Sequence, residues 1–72
     1  MTYDEMKDFI GKRVEIPVHY DLWMRGARFG IVVGRRQGKA GRRPYLQVRM
    51  DHPAVRRCAK IWALDADYIR VL

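Results

Sequence analysis

From Lys12 onward, apolar and polar side chains alternate with a period of two, the spacing of strands that bury one face. Val14, Ile16 and Val18 alternate with Arg13, Glu15 and Pro17. Pro17 offers no ladder donor, so this first strand sits at a sheet edge or stops there. His19 to Ala27 has mixed character and reads as a long loop. Phe29, Ile31 and Val33 alternate with Gly30, Val32 and Gly34, whose glycines suggest a strongly bent second strand. Leu46, Val48 and Met50 alternate with Tyr45, Gln47 and Arg49 in a third, which Asp51-His52-Pro53 ends by favouring turn geometry. In a fourth, Cys58 to Ala63, the residues Ala59, Ile61 and Ala63 share one face and Cys58, Lys60 and Trp62 the other. Asp65-Ala66-Asp67 suits a helical turn, and Tyr68 to Leu72 a short fifth strand with Ile69 and Val71 inward.

The first eleven residues follow a different period. Thr2-Tyr3-Asp4-Glu5 fits a capping box, in which the Thr hydroxyl and the Glu carboxylate satisfy opposite backbone donors. Met6, Phe9 and Ile10 recur at helical spacing, and Gly11 suits the stop. About two turns cannot hold helix alone, so this segment is expected to pack as a lid on the strands.

Five short, bent strands, a long first loop and a helical turn before the last strand resemble an SH3-like small β-barrel over residues 12–72. The resemblance implies a mainly β single domain, with residues 1–11 as an added N-terminal helix. Barrel closure is how so few residues avoid exposed edges. An OB-type barrel would want more residues and a helix between strands three and four.

Composition adds size and charge. Seventy-two residues make one small domain, 49% hydrophobic, which is ample for a core. A domain of this size buries only about 60% of its unfolded surface, so pairing with itself or a partner would help it, and a homo-oligomer fits. The single cysteine, Cys58, cannot form an internal disulfide. Asp4, Glu5 and Asp8 have the wrong sign for the start of a signal peptide, and the apolar run from Phe29 to Val33 is too short to span a bilayer. A cytoplasmic protein without a membrane partner is expected. The net charge is +7, unevenly placed. From Leu22 to Lys60, eleven lysines and arginines (Arg56 among them) face one acid, Asp51. That segment carries +10, which leaves −3 on the remainder and suggests one positive region suited to a polyanion.

The densest part of that region is V-G-R-R-Q-G-K-A-G-R-R-P-Y, residues 33–45, which joins strands two and three as a hairpin. Arg35, Arg36, Lys39, Arg42 and Arg43 can follow phosphates there. Tyr45, Arg49, Lys60 and Trp62 point outward by alternation and would extend the surface with stacking and charge. Trp62 has an alternative, turning inward to plug the barrel end. Nucleotide motifs do not account for the stretch. Gly34 to Ala40 is one residue short of a P-loop and has Ala where a magnesium-binding hydroxyl belongs, and Gly38-Lys39-Ala40-Gly41 lies between strands rather than helices.

His19-Tyr20-Asp21-Leu22-Trp23-Met24-Arg25-Gly26 would be the first long loop of an SH3-like barrel. It resembles the peptide-binding loop of signalling SH3 domains in Tyr20 and Trp23, with Tyr68 at the position of their helical-turn tyrosine. It departs in charge, because Arg25 and Arg28 would repel a basic peptide. The implied partner is an acidic protein, met by Tyr20, Trp23, Arg25 and Arg28, unless Trp23 and Met24 fold back over the core. The same run also looks like stretches in small uncharacterised bacterial and phage proteins, which would place the chain on a phage or mobile element.

Ala59-Lys60-Ile61-Trp62, with His52-Pro53 upstream, resembles the VQIY segment of type II dihydrofolate reductases. Lys60 stands for the glutamine and Trp62 for the tyrosine, so that family's pterin and nicotinamide contacts do not carry over. His19, Asp21, Asp51, His52 and Cys58 lack metal-ligand spacing, and Cys58 has no placed general base. The expectation is therefore a binding module with no catalytic residue, cofactor or metal. Nucleic acid, DNA or RNA, is the first ligand class and is read independently of sequence; an acidic protein partner is the second.

Overall fold

The computed structural model describes residues 1–53, 55 and 57–72; Ala54 and Arg56, the latter one of the segment's cations, lie outside them. Five antiparallel strands form one sheet in the order β4-β3-β2-β1-β5. They are β1 Arg13–Glu15, β2 Phe29–Arg36, β3 Tyr45–Met50, β4 Cys58–Trp62 and β5 Arg70–Val71. Three one-turn helices accompany them: α1 Tyr3–Met6, α2 Asp21–Met24 and α3 Ala63–Ala66, with a 3-10 turn over Lys7–Phe9. Among the described residues no ladder joins β4 to β5.

The N-terminal helix forms as its cap predicts. Thr2 accepts from the Glu5 backbone N–H at 3.3 Å, while its hydroxyl donates to the Glu5 carboxylate at 3.0 Å. The box is therefore closed side chain to side chain. Met6 is completely buried, so the segment does cover the core. Gly11 ends it with φ +87° and donates its N–H to the Val32 carbonyl at 2.7 Å. Ile10 departs from the helical reading and is exposed, because the chain turns extended there.

Val14, Ile16, Val32, Leu46, Val48, Met50 and Ile61 fill the core with Met6, Ala27, Ala63 and Ala66. Several boundaries differ from the pattern, each for a local reason. The first strand stops at Glu15 and lies between β2 and β5, not at an edge. The Ile16 N–H still donates to the Arg28 carbonyl in the same register. Pro17, however, has no N–H to add, the chain turns there with the Tyr20 N–H on the Pro17 carbonyl, and Val18 is left 61% exposed. The long loop contains α2, started by extended Tyr20 with Asp21 in the first turn. The late helical turn begins earlier than Asp65, at Ala63. β5 keeps only two residues, and Val71 is exposed rather than inward.

β2 holds the largest difference. It runs to Arg36, and its buried positions are Gly30 and Val32, while Ile31 and Val33 face solvent. A β-bulge lies between Val32, opposite Val48, and Gly34, opposite Gln47. One residue against none turns the following side chains over, which places Arg35 opposite buried Leu46 and Arg36 opposite Tyr45.

Gly30 allows β2 and β3 to approach. A Cβ there would lie 2.6 Å from Val48 Cγ1 and 2.7 Å from the Arg49 carbonyl oxygen. Gly30→Ala is expected to destabilise the fold by about 1–3 kcal/mol through overpacking, measured as a lower denaturant midpoint. An unchanged midpoint would contradict the close approach.

Candidate nucleic-acid interface

The outward face of the sheet is fixed by strand register. Side chains directly opposite on neighbouring strands share a face, so each register triplet forms a row. Arg36, Tyr45 and Trp62 make the first row; Gly34, Gln47 and Lys60 the second; Ile31, Arg49 and Cys58 the third. The Tyr45 and Trp62 rings lie 5.3 Å apart at 59°, and Lys60 Nζ sits 5.5 Å from the Tyr45 ring centre. Trp62 is half-buried, with its ring beside Tyr45 at the foot of the hairpin.

The hairpin loop arches over that row. The Arg42 N–H donates to the Lys39 carbonyl at 2.9 Å. Gly38 and Gly41 both take positive φ, and a Cβ on Gly38 would lie 2.9 Å from the Arg43 carbonyl oxygen. Arg36, Gln37, Gly38, Lys39, Arg42, Tyr45, Lys60 and Trp62 consequently line one concavity of about 530 Å³. Among the described residues no carboxylate pairs with Arg36, Lys39 or Arg42; the recorded ion pairs lie elsewhere.

Three of the predicted residues are placed apart. Arg35 faces α1: it donates to the Tyr3 carbonyl, lies 3.9 Å over the Tyr3 ring and reaches Asp4 at 4.0 Å. Its side chain is only 22% exposed, so it braces the helix. Arg43 is not among the residues that line this concavity; it borders two neighbouring depressions, one beside Met1, Pro44, Ala63, Leu64 and Asp67 and one shared with Arg42, Trp62, Leu64 and Asp65. Arg49 stays on the sheet face but two rows from the aromatic pair. Gln37 and Gln47, in contrast, join the site or its row without having been predicted, since an uncharged amide between cations carries no distinct sequence signal.

A second depression of about 610 Å³ lies where the first loop meets α3. Ile16, Pro17, Val18, Trp23, Leu64 and Tyr68 give it an apolar lining, with Glu15, His19 and Asp65 among them. Trp23 packs against the core with Arg28 4.0 Å from its ring centre, so the two predicted loop residues stack on each other. Tyr20 is partly buried, whereas Arg25 is exposed. Leu64 and Asp65 were missed, because only folding brings α3 against a loop more than forty residues away.

Asp65 organises this corner. It accepts from the Tyr20 hydroxyl at 2.8 Å and contacts His19 Nε2 at 3.1 Å, and His19 stacks on Tyr20. The Tyr20 bond holds the Asp65 carboxyl below its usual range against its own desolvation, with His19 adding to the effect. Burial first, and then the bond and charge of Asp65, push the Tyr20 phenol above its ordinary value. A lowered carboxylate contributes stability above its unfolded value of about 3.9 and loses it as pH falls through the folded value. A raised phenol contributes below about 10 and loses stability as pH rises beyond that. Tyr20→Phe is expected to cost about 1–2 kcal/mol at neutral pH. The gap from wild type should narrow in urea melts below about pH 4, and a pH-independent gap would argue against the bond.

Comparison with protein-family models, curated proteins and solved structures gives no match for the chain. Among the described residues no helix is long and apolar enough to cross a membrane, and no group of three His, Cys, Asp or Glu could hold a metal.

Proposed function

We propose that the chain is a small SH3-like barrel domain that binds nucleic acid without catalysing a reaction. The strand order β4-β3-β2-β1-β5, with a helical turn between β4 and β5, supports the barrel reading. One observation carries the ligand class: Arg36, Lys39, Arg42 and Lys60 surround the Tyr45–Trp62 pair in one concavity. Cations neutralise phosphates and release their counterions, while exposed ring faces accept bases. Nothing in the arrangement resembles a groove-reading helix, so binding is independent of base sequence.

Salt titration tests this. If four or five phosphates are engaged, log K should fall with log salt at a slope of roughly −3 to −5, depending on strandedness. A slope near zero, or no binding at low salt, would overturn the reading.

A second reading, protein interaction, draws support from the apolar depression beside α3 and the exposed Tyr68, Leu64 and Val18 on it. An acidic protein would meet Arg25 and Arg28 next to it. A stoichiometric complex with one protein, together with no affinity for nucleic acid, would favour this reading over the first.

A further inference from the structure

The rows on the sheet face have an order as well as a composition. Along β3 and β4, alternate residues lie about 6.8 Å apart on one face, twice the rise per residue. The first row offers an aromatic pair, the second Lys60 and the third Arg49, while Arg36, Lys39 and Arg42 border the first from the hairpin side. A duplex presents its phosphates outside and hides the faces of its bases in the stack. It would reach the rim cations of the concavity but leave the Tyr45 and Trp62 rings unused. An extended single strand has the opposite properties: its bases are free to stack, and its phosphates follow one another along a line.

Resting on the nucleic-acid reading above, we infer that the ligand is single-stranded, with one base stacked in the Trp62–Tyr45 corner. The adjoining phosphates pass from Arg36, Lys39 and Arg42 to Lys60 and Arg49 along β3 and β4. The sheet takes about three nucleotides, one for each row. With the aromatic pair at one end only, the strand has a defined start on the protein.

The wild-type protein allows the test without any variant. Fluorescence anisotropy would compare a labelled short oligothymidine, an abasic strand of the same length and charge, and a blunt hairpin duplex with the same number of phosphates. All three are measured at one moderate salt concentration. Oligothymidine is expected to bind about tenfold or more tighter than the abasic strand, and tighter than the duplex. Trp62→Ala should bring oligothymidine down to the abasic level, whereas Trp62→Phe, which keeps a ring, should retain most of the difference. Equal affinity for oligothymidine and the abasic strand, or a preference for the duplex, would overturn the single-strand inference while leaving nucleic-acid binding standing. Failure to bind any of the three would overturn both.

Discussion

Reversing Arg36 and Arg42 to glutamate together is expected to lower nucleic-acid affinity by about 100-fold or more at moderate salt. Each arginine borders the concavity that holds Tyr45 and Trp62, and no carboxylate is paired with either among the described residues. A charge-assisted hydrogen bond contributes about 1.5–3 kcal/mol, so losing two removes at least about 3 kcal/mol before any repulsion is counted. Both residues lie at the surface, so the thermal midpoint should hardly move. Lys7→Glu provides the control, because that exposed side chain lies on the N-terminal 3-10 turn and lines neither the concavity nor the depression beside it. It changes the net charge but not the concavity, and a loss of no more than a few-fold is expected from its longer-range field. If the single Lys7 variant were as damaging as the pair, binding would depend on overall charge and the concavity would have no special role.

Leu46→Ala is expected to have the largest effect on stability. Leu46 is wholly buried, next to Ile61 on one strand and Arg35 on the other. Truncating a buried leucine costs about 2–5 kcal/mol. A domain of this length has roughly 4–11 kcal/mol in total, at 0.05–0.15 kcal/mol per residue. The variant therefore loses a large share of its stability, and its melting midpoint should drop by about 10 °C or more. A drop of only a degree or two would mean that the centre of the sheet is not packed as described. Because Leu46 sits under the Arg36–Tyr45–Trp62 row, binding should fall in step with the folded fraction and recover on cooling.

Much of the sheet was legible because its strands are half-buried. Leu46, Val48 and Met50 alternate as the ladder requires, and so do Ala59 and Ile61 against Lys60 and Trp62. Outward placement of Tyr45 and Lys60 followed from parity, which for Trp62 left an inward alternative open, and the cap at Thr2 followed from local chemistry. Features depending on distant partners were not legible. Val18 is as apolar as Val14, yet the chain leaves the ladder before it, in the turn that the Tyr20 N–H closes on the Pro17 carbonyl. Arg35 and Arg36 are identical in sequence terms, and only the Tyr3 ring across the fold distinguishes their roles. The apolar depression needed α3 and the first loop to meet through Asp65 and Tyr20, which no spacing rule connects.

The bulge at Val33 divides β2 into two halves. It joins two reading frames in one strand: before it, even-numbered residues face the core, and after it odd-numbered ones do. The frame that buries Val32 and the frame that presents Arg36 are thus set separately. Changes in the first half of the strand can adjust the core without rotating the cations, and changes in the second can adjust the cations without disturbing the core. A single unpaired residue separates the side chains of the outward face from those that fill the core.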